Sequence, residues 1–174
     1  LLCFFLAVLG LRGADPFAEN VRTTEPLSPR DQQRTFRLPP GFEIQLVPHE
    51  PDINKPMNMA FDDLGRLWVS TSREYPFPGP LDKPGRDRVM IFDSFGPDGR
   101  ARRVTQFAEG LNIPIGVYPF RSRAANGTET WKAVVWSIPN IWLFEDTDGD
   151  GKSDRRERLY GPFDHTRDTH GNQA

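Results

Sequence analysis

A single cysteine, Cys3, leaves this chain of 174 residues without a disulfide framework, a Cys-x-x-Cys metal motif or a Cys-x-x-Cys-His haem attachment. Basic runs are lacking as well. Lys and Arg number 22 against 24 Asp and Glu, for a formal charge of −2, which argues against a nucleic-acid surface. No apolar run reaches the roughly 18 residues of a membrane span. Walker loops, dinucleotide fingerprints and serine nucleophile elbows are also missing. Hydrophobic residues make up only 37% while proline numbers 17 and glycine 15, so many short elements joined by turns are expected and few long helices.

The longest apolar stretch, Leu1 to Leu11 with Gly10 inside it, has the length of a signal-peptide hydrophobic region. Residues 1–14 are therefore expected to be a signal peptide with cleavage after Ala14, although Arg12 stands where a small residue is preferred. The stretch opens with Leu and has no charged leader, which points to a truncated start. The alternative is a short core element at the start of a domain. Cys3 precedes the apolar run, which disfavours a lipoprotein signal, and its loss with the signal would leave a thiol-free protein suited to an oxidising compartment. Export to the periplasm or cell surface is the expectation.

What is present most distinctly is an acidic dodecamer, residues 146–157. Asp146, Asp148 and Asp150 fall at positions one, three and five of a calcium loop, and Gly151 falls at the sharp turn. Lys152 offers a carbonyl, Asp154 follows, and Glu157 falls at position twelve. Two carboxylates about 4 Å apart repel by roughly 4 kcal/mol at an effective dielectric near 20, so a folded loop calls for a hard cation, calcium by preference. The alternative is a solvated turn with its carboxylates splayed. The preceding stretch, residues 133–144, is β-branched and aromatic with Pro139 inside it, and reads as strand where an EF-hand needs helix. A β-hairpin tied by the metal is predicted, with 157–160 as its return strand and Glu157 as the least secure ligand.

Upstream, residues 15–40 read as a linker with a short helix beginning at Ser28-Pro29-Arg30-Asp31 and stopping before Pro39-Pro40. Residues 41–47 alternate Phe42, Ile44 and Leu46 with Glu43 and Gln45, the period of a half-buried strand. Residues 57–71 read as a hairpin turning at Asp62-Asp63-Leu64-Gly65. A shift of 52 superposes Val89-Met90-Ile91-Phe92 on Ile141-Trp142-Leu143-Phe144 and Asp98-Gly99-Arg100 on Asp150-Gly151-Lys152. Leu67-Trp68-Val69-Ser70 further resembles Val134-Val135-Trp136-Ser137, the first copy carrying a longer Pro/Gly-rich loop. Repeats of this kind predict an all-β chain, an incomplete β-propeller of about two to three blades over residues 41–174, truncated at the C-terminus, with a short N-terminal helix. Hairpins of one sandwich are the competing architecture. Asn126-Gly127 reads as a turn, the four tryptophans as packing between blades, and His49 as a strand end.

Several segments together resemble a known family: Pro16-Phe17-Ala18-Glu19-Asn20-Val21-Arg22, Leu38-Pro39-Pro40-Gly41-Phe42-Glu43-Ile44, Lys55-Pro56-Met57-Asn58-Met59-Ala60-Phe61-Asp62, Trp136-Ser137-Ile138-Pro139-Asn140 and Asp168-Thr169-His170-Gly171-Asn172. They are similar to the N-terminal part of the large exported planctomycete proteins named membrane-bound dehydrogenases or haem-binding Cys-x-x-Cys-His proteins. The resemblance implies a propeller similar to quinoprotein glucose and sorbosone dehydrogenases. It also implies pyrroloquinoline quinone as cofactor and haem c in a downstream module outside this chain. His170, oriented by Asp168, is the residue it offers as general base for a sugar or polyol substrate. His170 is followed by Gly171-Asn172-Gln173 where the enzymes have paired glycines.

Two functions follow as expectations. One is a fragment of an exported, calcium-binding, quinoprotein-like dehydrogenase that passes electrons to a haem module elsewhere. The other is a non-catalytic extracellular propeller used for binding or scaffolding. Any membrane association would run through regions not in this chain. A transition-metal site at His165 and His170, with Asp164 and Asp168 between them, and a propeller-mouth role for Arg73-Glu74-Tyr75 are weaker alternatives.

Overall fold

The computed structural model describes residues 24–123 and 127–166. Two compact units divide the chain, Leu1–Phe36 and Arg37–Ala174. The described part of the first holds one helix, α1 (Pro29–Thr35), built as its sequence dictates. The Ser28 side chain caps it by accepting from the Asp31 amide at 3.2 Å, and Pro29 occupies the first turn. Phe36 leaves in an extended conformation ahead of Pro39-Pro40. The helix buries no residue.

The second unit is all β. Strands β1 (Pro56–Phe61), β2 (Leu67–Thr71), β3 (Asp87–Phe95) and β4 (Ala101–Leu111) form one antiparallel sheet in sequential order. Strands β5 (Gly116–Arg123), β6 (Glu129–Ser137), β7 (Asn140–Asp146) and β8 (Arg155–Tyr160) form a second, also in sequential order, and the sheets do not close into a barrel. Within each sheet every strand pairs with its neighbour in sequence, and the connections are short except for residues 72–86 between β2 and β3.

The sheets meet face to face. Trp68, Val89, Ile91, Phe107 and Leu111 of the first pack on Val117, Ala133, Val135 and Phe144 of the second, all buried. Trp68 meets Phe107 edge-on with ring centroids 4.6 Å apart, and lies 6.2 Å from Trp131. Such interdigitation of large side chains is what burial of an alternating strand pattern produces, and an aromatic truncated here would cost about 3–5 kcal/mol. The edge strands β1 and β5 also touch, the Val117 amide donating to Asn58 Oδ1 at 3.3 Å.

Three sequence expectations change. Within residues 41–47 Ile44 and Leu46 are half-buried but Phe42 is exposed, and the segment forms no strand. Val47 and Ile53 instead pack across the face of Leu67, Val69 and Phe92, so the segment buries its apolar groups without a ladder. His49 therefore ends no strand; its Nε2 lies 3.3 Å from Arg100 Nη2. Residues 133–144 are not one strand but parts of two, because the Ile138-Pro139 step turns the chain between Ser137 and its pairing partner Asn140. The repeat also needs one adjustment. The shift of 52 holds in the ladders, where Phe92 pairs with Val104 and Phe144 with Arg156. Upstream, however, Trp68 pairs with Ile91 as Val134 pairs with Leu143, which equates Trp68 with Val134 and not with Val135.

Trp68, Trp131 and Trp142 belong to the packing between the sheets, as the sequence implied, whereas Trp136 faces the other way and meets Phe163 at 5.1 Å. Gly127 lies in the β5–β6 connection with φ +84°, the left-handed conformation for which glycine is suited.

Candidate metal centre

The alternating topology sends the turns β1–β2, β3–β4, β5–β6 and β7–β8 to one end of the sheets. The acidic loop is the last of these. Its first aspartate, Asp146, closes β7 on the face that carries Phe144, and it is 1% exposed. Asp146 Oδ1 accepts from the Gly149 amide at 2.7 Å and Oδ2 from the Gly151 amide at 2.9 Å. Both glycines have positive φ, +82° and +88°, so the loop can curl its backbone donors inward.

Carboxylate oxygens of Asp146, Asp148 and Asp154 lie within 4.8 Å of one another. Among the described residues no lysine or arginine pairs with Asp146, Asp148, Asp150 or Asp154. Burial pushes the Asp146 carboxyl above the usual carboxylate range, with Asp150 and Asp148 adding to the rise and the two glycine amides opposing it. An all-oxygen donor set of this charge suits a hard cation such as calcium or magnesium.

The other predicted ligands lie outside this group of three. Asp150 Oδ1 accepts from the Lys152 amide at 2.7 Å. Glu157 pairs with Leu143 in the middle of β8, on the face turned away from the first sheet, because the chain leaves the loop as a strand. Asp154 is held by Thr147, whose amide and hydroxyl donate to it at 2.7 to 3.0 Å. Behind the loop, the Ser153 amide donates to the Phe107 carbonyl of β4 at 2.8 Å, so the loop is tied to the neighbouring sheet.

Three further carboxylates on these sheets are buried, Asp62, Asp87 and Asp93, and each has donors; Asp93 accepts from Arg103 at 2.7 to 2.9 Å. Asp62 accepts from the Leu64 and Arg66 amides, from Arg66 Nε at 2.6 Å and from Trp68 Nε1 at 2.8 Å. Burial works to raise its pKa, but those hydrogen bonds and the Arg66 charge leave it below the usual value. Asp87, fully buried, accepts from Ser72 Oγ at 2.8 Å, from the Ile113 amide at 2.7 Å and from the amides of Arg73 and Glu74. Asp87 thereby anchors the 72–86 connection and the crossing between sheets. Sequence reasoning missed it, although Asp87 shares the parity of inward-facing Val89 and Ile91. Arg73 and Glu74 are not an ion pair with each other; Glu74 pairs with Arg86 at 2.9 Å. Asp164 and His165 are described, while Asp168 and His170 lie outside the described residues, as do residues 1–14.

Residues 28–174 match the model of a family described as a domain of unknown function, DUF7133. No curated protein and no solved structure matches the chain.

Proposed function

We propose that this chain, which belongs to the DUF7133 family, supplies neighbouring blades of an exported β-propeller that is stiffened by calcium and works as a binding scaffold. The observation that carries the calcium reading is Asp146: a carboxylate 1% exposed, without a cationic partner, beside the oxygens of Asp148 and Asp154. An ion held by these three residues would supply positive charge and tie the β7–β8 turn to the strand behind it. The propeller reading is supported by sequential four-stranded sheets stacked face to face and by the apolar character of both outward faces. Met59 and Phe61 on one are 68% and 64% exposed, and Tyr118 and Tyr160 on the other 67% and 65%. Faces of this kind suit further sheets of the same stack. Among the described residues no helix is long and apolar enough to cross a membrane.

Thermal unfolding with added calcium tests the reading. An extracellular-type site binds at about 10⁻⁴ to 10⁻³ M, and hundredfold excess stabilises by about 2.7 kcal/mol. For a chain of this size that is a rise of about 5–10 °C in Tm. An unchanged Tm at 10 mM calcium, relative to chelator, removes the metal from the account.

The quinoprotein-like dehydrogenase is the second reading, and one feature of the topology favours it. The connections 72–86, 112–115 and 138–139 share the end opposite the acidic loop, and the chain leaves β8 at that same end before reaching His170 in sequence. No residue here is assigned to quinone. The chain has no Cys-x-x-Cys-His and so provides no attachment for haem. Substitution of His170 by Gln with sugar oxidation to an artificial acceptor as readout tests this reading; unchanged turnover removes it.

A further inference from the structure

A cleft of about 710 Å³ opens between residues 80–85 and the second sheet, a volume typical of small-molecule sites. Its sheet wall carries Trp142 on β7 with Arg156 and Arg158 on β8. Arg158 pairs across the ladder with Trp142 and Arg156 with Phe144, so both arginines project from the same face of β8. The Arg156 guanidinium lies 3.7 Å over the Trp142 ring and 5.3 Å from the Phe144 centroid.

Neither arginine has a carboxylate partner among the described residues. Arg66, Arg86, Arg102 and Arg103, by contrast, each pair with an acid. Burial, with no opposing anion, holds the Arg156 pKa below its ordinary value. The fold does not demand charge at these positions, since the equivalents in the first sheet are Val104 and Gln106. The opposite side of the cleft is lined by Asp82 and Glu109, both acceptors, with Lys83 beside Asp82. The Gln106 side chain donates to Glu109 at 2.8 Å.

A cationic wall requires an oxyanion, an acceptor wall requires hydroxyl donors, and a ring-sized cavity sets the body that carries both. We propose that this cleft binds a sugar acid of the uronic type, its carboxylate gripped by Arg156 and Arg158 and its hydroxyls turned toward Asp82 and Glu109. A planar guanidinium fork favours a carboxylate, and Leu81, Pro84 and Ile138 give the pocket apolar surface for the ring. The site uses no residue of the aspartate loop, so it stands or falls separately from calcium.

Calorimetric titration of the chain with D-glucuronate, D-glucose and acetate is the test. Glucuronate should bind about tenfold or more tightly than either control, because only it satisfies both walls. Arg156→Gln and Arg158→Gln should each weaken glucuronate by about tenfold, Arg158→Gln with Tm unchanged and Arg156→Gln with the lower Tm that loss of its stacking on Trp142 brings. Equal binding of glucose, equal binding of acetate, or indifference to both substitutions overturns the proposal. Arg158, beside the less buried half of the wall, keeps the test decisive should Arg156→Gln disturb folding.

Discussion

The hairpins β3–β4 and β7–β8 are copies of one element with equal spans and each keeps an arginine–carboxylate pair across its ladder, Arg103 with Asp93 and Arg155 with Glu145, yet their turns carry opposite charge. In the first, Arg103 forks onto Asp93 at 2.7 to 2.9 Å and Arg102 reaches Asp98 at 2.8 Å. In the second, Asp150 stands where Asp98 does, and Asp154 stands where Arg102 does. Asp146 and Asp148 occupy the places of Ser94 and Gly96. One turn carries its own cations; the other has exchanged a guanidinium for a carboxylate and added two more. Side-chain exchange alone, with no change in strand register, thus separates a turn that carries its own cations from one that gathers three carboxylates.

The largest expected effect comes from breaking the second turn at its buried member. Asp146→Asn removes the charge and keeps only one of the two hydrogen bonds from the Gly149 and Gly151 amides, because its amide nitrogen cannot accept, and it should abolish the calcium-dependent stabilisation of about 2.7 kcal/mol at hundredfold excess. In chelator the lost hydrogen bond offsets the relief of repulsion within the loop, so the variant should not melt above the unsubstituted chain. Calcium should therefore raise the Tm of the unsubstituted chain alone; an equal rise in both proteins would separate Asp146 from any ion.

Next in size is a conversion of one turn into the other. Asp154→Arg places a guanidinium opposite Asp150 as Arg102 stands opposite Asp98, and should remove most of the calcium response while keeping the turn folded without the ion. A calcium-induced rise in Tm that survives intact in this variant would show that the two turns are not equivalent. The complementary substitution, Arg103→Met, leaves Asp93 with the Ser94 hydroxyl as its remaining side-chain donor. It should lower Tm by the same amount in calcium and in chelator, since no ion is involved in the first turn.

Turn chemistry was legible in the sequence because it is local. Asp62 to Gly65 and Asp146 to Gly151 each close on themselves within six residues, and their glycines sit at positive φ as Asp-Gly turns require. The helix at Ser28-Pro29 was legible for the same reason. Pairing is not local. Residues 41–47 carry a strand's alternation, but whether they join a ladder depends on a partner edge, and here Val47 finds burial on a sheet face instead. Asp87 is defined by Ser72, Arg73, Glu74 and Ile113, which only the folded topology assembles. The one-residue error in the repeat arose because Ser70 and Ser137 match by type, whereas the ladder sets Ser70 against Val89 and so equates it with Trp136.

The smallest expected effect is a difference of sign in acid. Burial works to raise the Asp93 pKa, but Arg103 and Ser94 hold it below the usual carboxylate value, so its folded pKa lies under the unfolded one. Its stabilisation is fully present above pH 3.8 and fades as pH falls through the lower folded value. Asp146 is raised, so without an ion its turn loses stability as pH climbs from 3.8 through the folded pKa. Hydrogen exchange separates the two. In chelator the Gly149 and Gly151 amides, both donors to Asp146, should gain protection relative to global unfolding as pH is lowered toward that window. The Gly99 amide, bonded to the Gly96 carbonyl in the arginine-held turn, should gain none. Calcium should reverse the trend at Gly149 and Gly151 alone, because protons then compete with the ion for the same oxygens.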